Sequence, residues 1–200
     1  MADGFVLVDK PGGMTSHDVV SRARRLFGQR KIGHAGTLDP MATGLLVLGL
    51  GRATRLIRFV QSGTKTYVAR ALLGVATDTL DADGAVLDRA PLPASRAEIE
   101  GAAARFVGDI LQVPPMVSAL KVGGRRLYDL AREGVEVERE ARPVTIHEID
   151  VLEVAPSDYP EVEFRVRCST GTYVRTLADD IGRALGGRAH LISLRRTAIG

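Results

Sequence analysis

The segment Gly33-His34-Ala35-Gly36-Thr37-Leu38-Asp39-Pro40 packs two glycines, a histidine and an acid between apolar elements, in neither helical nor strand period. Glycine lets a backbone approach a ligand closely or take unusual angles. Pro40 restricts the residue before it to extended geometry. A carboxylate fixed in that way on a loop can act as nucleophile or base. An Asp-Pro pair is also a common way to start a turn, and the residues alone do not decide between the two.

Other possible centres fail on spacing. Gly49-Leu50-Gly51 follows an apolar run like a dinucleotide loop, but Thr54 stands where the third glycine belongs and no acid follows at the expected distance. Asp81, Asp83 and Gly84 resemble part of a calcium loop, yet Ala90 replaces the glutamate that would close it, so a solvated hairpin turn is expected there. His17, His34, His147 and His190 have no zinc-ligand spacing. Cys168 is the one cysteine and ends the alternating run Val162–Cys168, which predicts a buried structural thiol. No intramolecular disulfide is possible, and a reducing cytoplasm is the expected setting.

The chain has 200 residues, 45% hydrophobic and 26% charged, as in an ordinary globular protein. Net charge is only +3, but its distribution is uneven. Arg22, Arg24, Arg25, Arg30 and Lys31 fall within ten residues that hold no acid, which is either a footprint for phosphates or a solvated helix face. The N-terminus lacks the basic and apolar regions of a signal peptide, and no apolar stretch approaches a membrane span.

The elements that must position these residues follow from their periods. Gly4–Asp9 reads as a strand. Thr15 and Asp18 stand at capping-box spacing and open a helix with Val19, Val20, Ala23, Leu26 and Phe27 on one face, which Gly28 can end. Leu45–Leu50 is an apolar strand, residues 52–60 a short helix and Thr66–Gly74 a strand. Asp78–Gly84 forms a turn with a strand beyond it. Ser95 and Glu98 cap a second helix carrying Ile99, Ala102, Ala103 and Phe106. Val113-Pro114-Pro115 is extended, and a short helix spans Arg125–Glu133. Strands at Val144–Val154 and Val162–Cys168 precede a helix over Thr172–Leu185 with Val174, Leu177, Ala178, Ile181 and Leu185 inward. His190–Ile199 is a last strand. The order lacks a βαβ rhythm, so the expected class is mixed α+β: one mainly antiparallel sheet with flanking helices, in a single domain over residues 1–200.

The string GHAGTLDPMATGLLVLGLGRATR resembles the signature of the TruB family of tRNA pseudouridine synthases. DKPGGMTSHDVV, KTYVARALLGVATDTLDADG, VPPMVSALKVGGRRLYDLAREG and CSTGTYVRTLADDIG follow in the family's order and cover most of the chain. The resemblance implies an isomerase that converts uridine-55 of the tRNA T-loop into its C-glycoside, with no metal or cofactor. It implies that Asp39 is the catalytic carboxylate, acting at C1′ or at C6 of the uracil, and that Tyr67 stacks on the flipped base and takes part in proton transfer. Arg175 is implied as the partner of Asp39 in a bidentate pair that keeps the acid ionised. Tyr173 becomes a wall of the pocket, Leu194 a packing surface for the base, and His34 a holder of flipped-out nucleotides. Lys10, with Pro11, takes a structural or RNA-contacting role, and the helix of Arg22, Arg24 and Arg25 meets phosphates. The family's C-terminal RNA-binding module (PUA-like) is absent from these 200 residues. A cytoplasmic monomer is expected, with tRNA as partner, no obligate protein partner and no membrane.

Overall fold

A computed structural model of the chain describes residues 2–118, 121, 122, 124–126, 135 and 137–200. Apart from the helix expected over Arg125–Glu133, the predicted strands and helices are present with ends that move by one or two residues. In chain order the described elements are β1 (Gly4–Lys10), α1 (Ser16–Leu26), β2 (Ile32–His34), β3 (Thr43–Leu50), a 3-10 turn (Gly51–Leu56), α2 (Ile57–Ser62), β4 (Lys65–Leu73), β5 (Val75–Thr77), β6 (Val86–Arg89), α3 (Arg96–Ala104), β7 (Gly108–Gln112), β8 (Lys121–Val122), β9 (Arg125–Arg126), β10 (Arg142–Ala155), β11 (Glu161–Cys168), α4 (Val174–Ala184) and β12 (Ala189–Ile199). The helix expected over Arg125–Glu133 begins in β9, and residues 127–134 lie outside those described.

Eight strands form one sheet in the order β1-β3-β12-β4-β11-β10-β7, with β2 added beside β3. The pairings are antiparallel except β12 with β3. The class is thus the mixed α+β arrangement expected. β4 sits centrally and alternates, with Lys65, Tyr67, Ala69, Ala71 and Leu73 buried and the residues between them half-buried. Period-two alternation puts those five on one face. α3 and α4 cover that face, and Ala71, Leu73, Phe164, Ile99, Ala178 and Ile181 border a common apolar interior there.

Both predicted capping boxes are formed, by Thr15 with Asp18 and by Ser95 with Glu98. The apolar face of α1 is shorter than expected. Val19, Val20 and Ala23 are buried, whereas Leu26 is 81% exposed and Phe27 is also exposed, so the cover over this face ends before the last turn. Cys168 is fully buried as predicted, and burial pushes its thiol up to about 11, so it is an inert packing group.

The one parallel contact joins Arg195 and Arg196 of β12 to Thr43 and Gly44 at the start of β3. Gly44 has φ +97, and a Cβ there would lie 2.3 Å from the Arg196 carbonyl oxygen. Both the backbone angle and the approach therefore demand glycine. Gly44→Ala is expected to destabilise the protein by more than about 2 kcal/mol, the range of substitutions that combine strain with overpacking. Urea unfolding checks this, and an unchanged midpoint contradicts so close an approach of the two strands.

Candidate active site

Asp39 lies on the irregular stretch between β2 and β3. Three buried cations fasten that stretch. The Lys10 side chain, at the end of β1, is fully buried and its Nζ donates to the carbonyls of Pro11 at 2.9 Å, Met14 at 2.6 Å and Pro40 at 3.2 Å. It joins the first loop to the residue after Asp39 and has no surface to offer RNA, so of the two roles expected for Lys10 the structural one fits and the RNA-contacting one does not. Burial depresses its ammonium, while the nearby Asp39 and Asp18 charges favour the protonated form. Ser16 adds a reciprocal tie: its Oγ receives the Leu38 N–H at 2.8 Å. Arg196 reaches the same loop from β12.

The third cation is Arg175, second residue of α4 and 3% exposed. Its Nε stands 3.0 Å from Asp39 Oδ2. The N–H is poorly aligned for a hydrogen bond, so the contact is an ion pair through one atom rather than the expected bidentate fork. The reason is that the fork is occupied elsewhere. Nη1 donates to the Thr79 carbonyl at 2.7 Å and to Asp81 Oδ2 at 3.1 Å, and Nη2 donates to the Val117 carbonyl at 2.8 Å.

Asp81 is therefore not the solvated hairpin residue expected. It is buried, and its Oδ1 also receives the Thr79 hydroxyl at 2.5 Å and the Asp83 N–H at 3.2 Å. Sequence reasoning tested Asp81 only as a calcium ligand and missed it. What internalises it is tertiary: Leu80 adopts φ +62, the Leu80 carbonyl accepts from Leu191 N–H at 3.0 Å, and Asp81 bridges to Leu191 of β12. The usable signal was the acid-rich turn lying inside the block that resembled the family.

Asp39 keeps 35% of its side chain accessible although protein surrounds most of it, so the carboxylate is fastened yet reachable from solvent. Burial raises its pKa above the ordinary value; Arg175 and Lys10 pull it back and Asp81 adds to the rise. Tyr67 is buried on β4, with its hydroxyl raised by burial and held back by the Arg196 guanidinium; the Asp39 charge also acts on it. Tyr173 caps α4, half-buried, its backbone clasped by Gln112, whose Oε1 receives Tyr173 N–H at 2.8 Å and whose Nε2 donates to Tyr173 O at 3.1 Å. Leu194 is buried opposite Ala69, two residues along β12 from Arg196. The geometry thus brings Asp39, Arg175, Tyr67, Tyr173 and Lys10 into one electrostatic neighbourhood.

His34 ends β2, half-buried, with a buried Nδ1 that lacks a partner. Burial holds its imidazole below the usual range, so it is neutral at pH 7. Arg22 and Arg25 are exposed on α1. Arg24, expected beside them, turns back and its Nη2 donates to the Ile32 carbonyl at 3.2 Å, so it fastens β2. The Gly49–Gly51 segment holds no dinucleotide cradle: the Asp3 carboxylate occupies the space over Gly51 and receives Arg52 N–H at 2.5 Å.

Comparison with known proteins gives the class of this fold and site. The family model described as "TruB family pseudouridylate synthase (N terminal domain)" matches residues 24–174, which places the chain among the pseudouridylate synthases. The "tRNA pseudouridine synthase B" of Mycobacteroides abscessus is 54% identical over 98% of this chain and 67% of its own length, and that of Burkholderia mallei is 53% identical over 99% and 65%. The chain belongs to the TruB family. It spans about two-thirds of the length of these curated relatives. A chain in a crystal structure of a Cbf5-Nop10-Gar1 complex superposes with a TM-score of 0.75 at 34% identity, over 98% of this chain and 49% of that one.

The raised pKa of Asp39 has a stability consequence. Its folded value lies above the 3.8 of a free aspartate, so folding favours the protonated form and the ionised form is a burden. That burden is absent below pH 3.8 and present above the folded pKa. Asp39→Asn is therefore expected to melt higher than wild type at pH 7 and to lose the advantage as the pH falls below about 3.8. Thermal unfolding from pH 3 to 8 checks it, and a variant that melts lower at pH 7 contradicts the assignment.

Proposed function

We propose that this protein is a tRNA pseudouridine synthase acting on uridine-55 of the T-loop, with Asp39, Tyr67 and Arg175 as the reacting set. The observation that carries the reading is the pairing of Asp39, accessible from solvent, with the buried guanidinium of Arg175. Relatives more than half identical that are named tRNA pseudouridine synthase B support the substrate class.

The reaction breaks the N1–C1′ bond of a uridine, turns the uracil and joins C1′ to C5, with loss of the C5 proton. It is redox-neutral. Asp39 supplies a carboxylate at the glycosidic centre or at C6. Arg175 favours its ionised form against the desolvation of its site. Tyr67 presents a phenol on the floor beside it, where a flipped base can stack and where a proton can be handed over. Leu194 and Tyr173 give apolar walls. The target base must leave its stack first, which costs a few kcal/mol, less in a loop than in a duplex. The neutral imidazole of the half-buried His34 suits a hydrogen bond to an extruded nucleotide better than a phosphate contact.

Tritium release from a tRNA transcript labelled at C5 of uridine tests the reading. Wild type is expected to release it, and Asp39→Ala to lose turnover by several orders of magnitude while filter-binding affinity for tRNA changes little. Binding lost in parallel with turnover would make Asp39 structural.

The exposed guanidinia of Arg22 and Arg25 stand on one side of α1 with no acid between them, and phosphate neutralisation there makes binding fall with salt. Arg22→Glu with Arg25→Glu is expected to weaken tRNA binding and flatten the dependence of log K on log salt by roughly one to two units. A slope equal to that of wild type would show this face to be merely solvated.

A further inference from the structure

Arg196 is the largest fully buried side chain among the described residues, 1% exposed on β12. A guanidinium out of water must find acceptors for its N–H groups. It donates from Nε to the Leu45 carbonyl at 2.8 Å, from Nη2 to the Gly36 carbonyl at 3.1 Å and from Nη1 to the Thr37 carbonyl at 3.4 Å. Gly36 and Thr37 precede Asp39, and Leu45 follows it in β3. One side chain from a distant strand thus grips the catalytic stretch on both sides of its carboxylate. Gly36 turns its carbonyl to the guanidinium with φ +93, a backbone conformation that residues with side chains rarely adopt.

The same guanidinium has a second duty. Strand register sets Arg196 directly opposite Tyr67 across β12 and β4, and directly opposed residues project from one face. The guanidinium also acts electrostatically on the buried Tyr67 hydroxyl. Its hydrogen-bond partners are three carbonyls, all neutral, with no carboxylate among them. A salt bridge would explain a buried arginine as a stability device; this one is spent on the backbone under Asp39, directly opposite Tyr67.

We propose that Arg196 is a positioning residue of the reaction, setting the separation between the Asp39 loop and the Tyr67 hydroxyl through its planar fork. The reading rests on the function above, in which Asp39 and Tyr67 act on the same nucleotide. A lysine keeps the charge but is a point donor on a flexible stem and cannot span the three carbonyls as the planar fork does. Displacements of about 1 Å in a reacting geometry reduce rates on the order of 10²-fold.

The test uses wild type, Arg196→Lys and Arg196→Met, each also labelled with 3-fluorotyrosine, the Tyr67 fluorine line being assigned with Tyr67→Phe. Single-turnover tritium release, tRNA affinity, thermal midpoint and fluorine NMR spectra are measured on each. Arg196→Lys is expected to fold, to bind tRNA within about twofold of wild type and to lose on the order of 10²-fold in the single-turnover rate. Its Tyr67 fluorine line shifts while the lines of the other three tyrosines stay. A single-turnover rate within about twofold of wild type overturns the proposal. So do rate and affinity falling by the same factor, or a Tyr67 line that does not move. Should Arg196→Met fail to fold, Arg196→Lys alone decides. A wild type that releases no tritium overturns the functional reading instead, which the fluorine measurement distinguishes because it reads the Arg196–Tyr67 contact without substrate.

Discussion

The guanidinium of Arg175 is the constraint around which the site is arranged. Taking such a group out of water has an effective penalty of several kcal/mol, recovered only where its donors meet well-placed acceptors. It lies in the first turn of α4, whose apolar side, Val174, Leu177, Ala178 and Ile181, is committed to the core. The arginine is drawn under with that side and its partners must come to it. The turn carrying Asp81 folds inward against β12, the Val117 carbonyl arrives after the proline-rich stretch, and the loop between β2 and β3 delivers Asp39. Four segments far apart in sequence meet at one side chain. Removing the buried Asp81 would leave the guanidinium poorly compensated in a dry setting, the situation in which buried pairs show their largest effects.

A loop without regular hydrogen bonding is a weak platform for a reacting group, since its carbonyls need partners that a helix or sheet would have supplied. Lys10 and Arg196 supply them. Lys10 takes the carbonyls of Pro11, Met14 and Pro40, and Arg196 those of Gly36, Thr37 and Leu45. The Lys10 charge also offsets that of Asp39. Lys10 and Arg24, which look at first like nucleic-acid contacts, are internal fastenings, and the exposed positive charge is left to residues such as Arg22 and Arg25 on α1.

Much of this fold was legible from periodicity because strands such as Val162–Cys168 alternate cleanly and because Thr15 and Ser95 announce their helices. Leu26 and Phe27 misled, since a helical period marks a face but not where its cover ends. In the site, Asp39, Tyr67 and Arg175 were legible through the family resemblance; by residue type alone Asp39 was as good a turn residue and Tyr67 a better core residue. Asp81 and Arg196 were not found. Each is buried by tertiary pairing with a residue about 94 or 160 positions away, Arg175 or Gly36, and no local pattern encodes such a contact. Lys10 was half found: its place near the cleft followed from the resemblance, but its burial depends on carbonyls from a separate loop.

The electrostatic balance at Asp39 also bears on how a substrate would change the site. In the free protein the carboxylate is partly open to water, so its attraction to Arg175 is screened while its desolvation is incomplete. A uracil lying over the carboxylate removes that water. Both effects then grow, because a lower local dielectric raises the desolvation of the carboxylate and the strength of its interaction with the guanidinium 3.0 Å away. With Asp81 alone the extra negative charge would tip the balance toward a protonated, unreactive acid. Lys10 and Arg175 oppose that rise, and they are already buried and fixed, so the positive field at Asp39 requires no reorganisation when the base arrives. The carboxylate is thus held by cations that the protein has desolvated in advance, and Lys10 and Arg196 fix the loop that carries it.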